Sequence, residues 1–344
     1  MTVTVKTLAK AAGVSRGTVD RVLHNRGSVK KELALKIKTL AKELGYVPNR
    51  AGRALSGIRE HYKIGIMLPS IGNAFFDGVI EGIEKACLEY EELGVEVILD
   101  KIQGYDETTH LKSIDELKKK GCSALCLATI DTPSVAEKIK ECELLGIKII
   151  LVNSDVSNSN RICYVGSDYI KAGKTCAGLL SLISKFEKLK ILVVTGSAFM
   201  KGHRQRIEGF ENELQNLNVN FEICAQIESN DSDIKAQIET TKYLTAHKDI
   251  NCVYVTGAGV QGVGAAIIAT GRDDIVGIAF DDIYTTVEMV RAGIFKFVIC
   301  QQPDRQGYHA VKRAYQILSG TVNEQAMTDF YTDTIIKIAS NIGK

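Results

Sequence analysis

The start of the chain places apolar side chains at helical spacing in three short blocks. Val5, Leu8 and Ala9 fall on one face, and Thr4 stands where a helix N-cap is needed. Ala12-Gly13-Val14 interrupts the pattern, with Gly13 supplying the permissive backbone of a tight turn. Ser15 is placed to cap a second helix over residues 16–24, whose Val19, Val22 and Leu23 face inward, and Asn25-Arg26-Gly27 closes it. A third helix over 31–44 carries Leu33, Ile37, Leu40 and Leu44 on one stripe, with Ser28 as its cap. It stops at Gly45, with Pro48 beyond. Three short helices with a glycine turn between the first two predict a helix-turn-helix, whose second helix presents its N-terminal side chains to a DNA major groove.

From residue 63 the period changes. Short, nearly continuous apolar runs at 63–68, 95–100, 124–128, 149–153, 190–194, 252–255 and 276–280 read as strands. Helical patterns at 77–91, 107–119, 135–145, 169–184, 205–215 and 233–246 lie between them. Strict β–α alternation predicts parallel sheets covered on both faces. About 280 residues exceed one ordinary core, so two doubly wound lobes are expected. Ligands of such sheets bind beyond the carboxyl ends of the strands, which makes the residues just after each strand the site candidates.

Composition adds exclusions. With 344 residues, 45% apolar and 24% charged, the chain is ordinary globular protein, and 4 Pro with 30 Gly exclude collagenous character. The longest apolar stretches, such as 124–130, fall far short of the ~20 residues that span a bilayer. Residues 1–30 hold no apolar core followed by a cleavage site, so a cytosolic chain with no membrane partner is expected. Nine scattered cysteines without CxxC pairing read as small buried hydrophobes, with Cys122 and Cys126 the alternative redox or metal pair. Charge is more informative once divided. Residues 1–60 hold 13 Lys and Arg against 4 Asp and Glu, and the rest holds 30 against 37. The net +2 hides a basic head, suited to a polyanion, on an acidic body.

The head resembles the LacI/GalR family of bacterial transcription regulators. The likeness rests on Val5-Lys6-Thr7-Leu8-Ala9-Lys10-Ala11-Ala12-Gly13-Val14-Ser15, Thr18-Val19-Asp20-Arg21-Val22-Leu23 and Leu44-Gly45-Tyr46-Val47-Pro48-Asn49. It continues through Arg50-Ala51-Gly52-Arg53-Ala54-Leu55 without gaps. The resemblance implies that Arg21 reads a guanine edge, and that Ser15 and Thr18 bond phosphates. It puts Arg16 and Gly17 at the base-choosing positions, and Thr4, His24, Asn49, Arg50 and Arg53 among the DNA contacts. Gly17 has no side chain to read with, so Arg16 must carry more. Asp20 departs from the usual Ser. Residues 49–56 correspond to the family's hinge helix, with Leu55 as its minor-groove wedge.

The body resembles the ribose-binding-like branch of the type 1 periplasmic binding proteins. Pro69-Ser70-Ile71-Gly72-Asn73-Ala74-Phe75-Phe76 is similar to its N-x-F-F clamp, Arg206 to the Arg of R-x-x-G-F, and Asp281 to the Asp of G-F-D. Gln301 opens a Q-x-P-x-x-x-G crossover, and Asn153 ends a strand where Asp is usual. The implied ligand set is Asn73, Phe75, Phe76, Asn153, Arg206, Asp281 and Gln301. Rings for apolar sugar faces with in-plane polar groups for hydroxyls suit a polyol. Each residue also has a plainer role. Phe75 and Phe76 serve as core, Asp281 caps a helix near Thr285, Arg206 pairs with Glu208, and Asp155 replaces Asn153. Gly257-Ala258-Gly259 stands where relatives carry Asn or Asp.

That loop belongs to a literal GxGxxG, Gly257-Ala258-Gly259-Val260-Gln261-Gly262, with Asp281 ending the next strand. A dinucleotide-binding enzyme or redox sensor is therefore the alternative reading. The six histidines show no catalytic or metal spacing, so no enzyme activity, cofactor or metal is expected. The sequence thus predicts an all-α head over 1–48, a hinge over 49–62 and an α/β two-lobed effector and dimerisation domain over 63–344. Its first lobe takes about 63–163 with 302–330, and its second about 164–301 with the C-terminal segment. The expected protein is a ligand-responsive transcription regulator, acting as a homodimer on a near-palindromic double-stranded DNA operator.

Overall fold

The head helices form where local chemistry dictates. A computed structural model describes residues 3–23, 29–44 and 61–343. By its internal contacts the chain divides into two units, residues 1–60 with 316–326 and residues 61–315 with 327–344. In the first unit, Thr4 caps α1 (Val5–Ala12): its hydroxyl accepts the Thr7 N–H, and the Thr7 hydroxyl accepts the Thr4 N–H, both at 3.3 Å. Gly13 ends α1 at φ 69°, a left-handed conformation that a side chain would strain. Ser15 Oγ accepts the Thr18 N–H at 3.1 Å and caps α2 (Arg16–Leu23).

Leu8, Ala9, Ala12, Val19 and Val22 pack with Ile37 of α3 (Lys31–Glu43) into one small core. Leu44, expected on the inward stripe, is 40% exposed. The reason is length: α3 has 13 residues and the two helices it packs on have 8 each, so the stripe outruns its partners. His24, the 25–27 closure, the Ser28 cap, Gly45 and the 49–56 hinge with Asn49, Arg50, Arg53 and Leu55 lie outside the described residues.

In the second unit the apolar runs build two sheets. The first is ordered β11-β5-β4-β3-β1-β2 and the second β12-β10-β9-β8-β6-β7. The first sheet contains β1 (Tyr62–Ile71), β2 (Val95–Gln103), β3 (Ala124–Leu127), β4 (Lys148–Val152), β5 (Cys163–Gly166) and β11 (Phe330–Tyr331). The second contains β6 (Leu189–Thr195), β7 (Phe221–Glu228), β8 (Cys252–Val255), β9 (Val276–Phe280), β10 (Phe295–Cys300) and β12 (Ile335–Lys337). All pairings are parallel except β10 with β12. β5 pairs with β4, so the first crossing between lobes falls after Gly166 rather than at the expected 163. The second falls between β10 and the helix after it, and the third between β11 and β12.

Helices cover both faces. Around the first sheet lie α4 (Phe75–Tyr90), α5 (Glu107–Lys119), α6 (Pro133–Leu144) and, beyond the second crossing, α12 (Pro303–Leu318). Around the second lie α7 (Tyr169–Ile183), α8 (Lys201–Asn216), α9 (Asp233–Ala246), α10 (Val260–Ala269) and α11 (Tyr284–Arg291). The second sheet alternates its side chains between two cores. Leu192, Val194, Val253 and Val255 face one, and Ile191, Val193, Tyr254 and Ile278 face the other. α4 and α12 cross at glycines: a Cβ on Gly82 would sit 1.9 Å from Asp304 O, and one on Gly307 1.9 Å from Val79 O. Seven cysteines are buried and two half-buried, all as free thiols. Burial drives the Cys126 thiol far up, so the suspected pair with Cys122 behaves as apolar core.

Candidate ligand cleft and nucleic-acid head

Each sheet reverses its winding at an internal strand, β1 between β2 and β3 and β6 between β7 and β8. Beyond the carboxyl ends of these strands the lobes enclose a cleft of about 590 Å3, including the solvent at its mouth. All seven sequence-predicted ligand residues line it: Asn73, Phe75, Phe76 and Asn153 from the first lobe, Arg206, Asp281 and Gln301 from the second. The backbone is strained around it, with φ of 62° at Asn153, 63° at Asp281, 51° at Gln302 and 58° at Asp231.

Arg206 is the centre of the second wall. It is 3% exposed, its guanidinium carbon lies 3.7 Å from the Phe280 ring centroid and 4.8 Å from that of Tyr169, and Nη1 donates to Thr256 O at 2.6 Å. Its Nε is buried and finds no acceptor within the protein. A surface pair with Glu208 is therefore not what it makes. Asp281 faces this cation and accepts from Gln301 Nε2 at 3.0 Å. Burial pushes its carboxyl up to about 6, against the pull of Arg206. It caps nothing, because α11 starts after Ile283 without a side-chain cap. Gln301 also accepts the Tyr169 hydroxyl at 3.1 Å.

On the first wall, Phe75 and Phe76 meet edge to face at 5.3 Å and are both core and cleft lining. Asn153 donates to Gln306 Oε1 at 3.2 Å. Asp155, its rival, is outside the lining, held by Arg161 at 2.6 Å and Lys201 at 3.4 Å. Asn73 spends its Oδ1 on the Phe75 N–H at 3.1 Å and donates from Nδ2 to Asp231 of the opposite lobe at 2.8 Å.

Sequence reasoning missed four groups. Tyr105 follows β2, so the strand-end rule reaches it. Tyr169 opens α7, just after the crossing at Gly166. His203 lies inside the segment that carries Arg206, and burial holds its imidazole down at about 4. Asp231 follows β7, a strand whose alternating polar pattern did not read as one.

The glycine loop has a structural explanation. A Cβ on Gly262 would sit 1.9 Å from Asp233 O, so this glycine lets α9 and α10 touch. Two amides of the loop are occupied by carboxylates: Ala258 N–H donates to Asp231 Oδ1 at 3.2 Å and Gly262 N–H to Asp233 Oδ1 at 3.1 Å. Two carboxylates at a helix N-terminus would repel phosphate, which overturns the dinucleotide reading.

In the head, Thr4, Ser15, Arg16, Gly17 and Arg21 are exposed and Thr18 is half-buried. Arg21 Nε donates to Gly17 O at 3.1 Å, which lays its side chain along the outer face of α2. The Ser15 and Thr18 hydroxyls lie 2.9 Å apart. Gly17 has ample room, since a Cβ there would meet only Ser15 Oγ at 3.8 Å. Among the described residues there is no group of three or more metal-ligating side chains, and no helix is long and apolar enough to cross a membrane.

A three-helix head and a two-lobed α/β unit with a cleft at the switch points define a DNA-binding chain joined to a binding-protein fold. Residues 4–49 match the bacterial regulatory proteins of the lacI family, and residues 64–321 match the periplasmic binding protein domain. The chain belongs to the lacI family of transcription regulators, with a periplasmic-binding-protein-type effector domain. It is 26% identical over 292 residues to the HTH-type transcriptional regulator DegA of Bacillus subtilis (strain 168), covering 82% of each chain. It is 23% identical to the Ribose operon repressor of Escherichia coli (strain K12), covering 81% of this chain and 83% of that one. The fold superposes on GanP, a glucose-galactose binding protein from Geobacillus stearothermophilus, with a TM-score of 0.75. There the identity is 22%, over 82% of this chain and 99% of that one.

Proposed function

We propose that the protein is a repressor whose operator affinity is set by a neutral sugar or polyol held in the cleft. The observation that carries this is the buried Arg206, stacked on Phe280, with an Nε donor unmet by the protein, in a lining that it shares with Asp281 and Gln301. A hydroxyl can accept from Arg206 and donate to Asp281 at once, and the Phe75 and Phe76 rings supply the apolar face. Asp281 stands against the one arginine of the lining and two of the loop amides are spent on carboxylates, which favours a neutral ligand over a phosphorylated or acidic one. The names of the ribose repressor and of GanP point the same way.

In this reading Arg21 and Arg16 read bases, Ser15, Thr18 and Thr4 hold phosphates, and two heads of a homodimer address a near-palindromic site. Ligand closure of the lobes is transmitted to the 49–56 hinge with Leu55, so operator and ligand share one coupling free energy. The test is a thermal-shift screen with D-ribose, D-glucose, D-galactose, myo-inositol, sugar phosphates and NAD(P). A compound at 100 times its dissociation constant stabilises by ~2.7 kcal/mol. Arg206→Ala is expected to lose that shift and the operator response while keeping ligand-free operator affinity. Response to a dinucleotide alone, or an unchanged shift in Arg206→Ala, refutes the proposal.

A further inference from the structure

We infer that Asp231 is a latch between the lobes, and that Asn73 and Tyr105 are its partners across the cleft. Asp231 lies between β7 and α9 in the second lobe and is not itself part of the cleft lining. Its Oδ2 accepts from Asn73 Nδ2 at 2.8 Å and from the Tyr105 hydroxyl, both side chains of the first lobe. Its Oδ1 accepts the Ala258 N–H at 3.2 Å, which ties the same carboxylate to the loop after β8. One carboxylate thus holds two residues that line the first wall to a loop that lines the second. Asp231 adopts φ 58° to do so, directly after Asn230 at 51°.

The chemistry sets this contact apart from the other bridges between the lobes. Asp131 with Arg204 and Asp155 with Lys201 rely on long, flexible cations whose side chains are exposed or half-buried. The Tyr105 side chain is half-buried, and burial of its hydroxyl together with the Asp231 charge raises its pKa, so it remains a donor. Charge-assisted bonds in such a setting are the strong ones. Closure of the cleft then draws part of its free energy from protein meeting protein, and the ligand need not supply all of it. Asn73 has its amide oxygen on Phe75 N–H and an amide hydrogen on Asp231, so it serves as a positioning residue for the latch. The inference deepens the ligand-cleft reading, but its test requires no ligand.

Hydrogen exchange on the ligand-free full chain separates a latch from a merely local role. Tyr105→Phe removes one hydroxyl from the first lobe and leaves the ring that packs beside His203. Loss of a bond to a charged acceptor is expected to speed exchange about tenfold or more at the Ala258 amide, in the opposite lobe. Asn73→Asp keeps the acceptor for Phe75 N–H but sets a carboxylate against Asp231, and is expected to speed exchange at Ala258 at least as much. If either variant alters exchange only in its own lobe, the carboxylate does not latch the lobes and the inference is overturned. Failure of the sugar screen with the exchange result intact would refute the ligand and leave the latch standing.

Discussion

Asp281→Asn should make the ligand-free protein more stable and ruin its ligand site, by an amount that the burial of one carboxylate fixes. In the folded protein this carboxyl titrates at about 6, against an ordinary value of 3.8. The folded state therefore holds the proton more tightly than the unfolded chain. The stability contributed by that proton is complete below pH 3.8 and is lost as pH rises through 6. Relative to a permanently neutral side chain, ionised Asp281 costs ~3 kcal/mol above pH 7, roughly half of that at pH 5, and little below pH 4. Solvent in the cleft trims the figure, so ~2 kcal/mol is the expected gain for the variant at pH 7.5. Asn tolerates φ 63° and can still accept from Gln301, so neither strain nor a lost bond offsets it.

The assay is denaturation of wild type and variant across pH 4.5–8. At ~2–4 °C per kcal/mol for a domain approaching this size, the variant should melt about 5 °C higher at pH 7.5, with the gap narrowing toward acid. His203 and His309, both held at about 4 by burial, work in the opposite sense over the same interval. They are common to both proteins, so subtraction removes them. A variant no more stable at pH 7.5, or a gap independent of pH, would refute the argument that Asp281 is held ionised at a cost for the sake of a ligand.

Two further predictions concern the head and the glycine loop. Arg21→Ala should cost ~1–3 kcal/mol of operator binding and relax preference at one base pair per half-site, read by competition with operator variants; unchanged specificity would remove it as base reader. Gly262→Ala gains ~1 kcal/mol of helix propensity but forces α9 from α10, where its Cβ would lie 1.9 Å from Asp233 O. Overpacking of that kind costs ~1–3 kcal/mol, so a net fall in melting temperature is expected, and a rise would show that the helices do not need the glycine.

Local chemistry made the head legible. The caps at Thr4 and Ser15 and the turn at Gly13 depend on groups within four residues, so sequence neighbours decide them. The central strands β1, β3, β4, β8 and β9 were legible because burial on both faces demands unbroken apolar runs. The internal strands β5 and β10 were nevertheless missed, and the edge strand β2 was read; the other edge strands escape that demand. β7 mixes half-buried and exposed positions with none fully buried, and β11 and β12, of two and three residues, exist only through partners elsewhere in the chain. The positions of Arg206, Asp281 and Gln301 followed from strand ends and motif likeness, but their chemistry did not. That the Asp281 carboxyl is pushed up, that Arg206 lies on Phe280, and that neither caps nor pairs at the surface are matters of packing.

What the sequence by itself determined is the set of structures its short-range pattern can form: a helix-turn-helix, a series of β–α units, and polar residues at strand ends where no helix or strand can use them. The tertiary structure decided which of these meet. Asp231 and Asn73 are 158 positions apart, and Asp233 and Gly262 are 29 apart, yet each pair is in hydrogen-bond contact. The GxGxxG string is identical whether its amides cradle a phosphate or bond to carboxylates. Only the carboxylates that arrive from the loop after β7 and from α9 make it the second. Contacts of that kind pay chain entropy to join distant segments, and the free energy that supports them comes from the apolar cores that those segments build together.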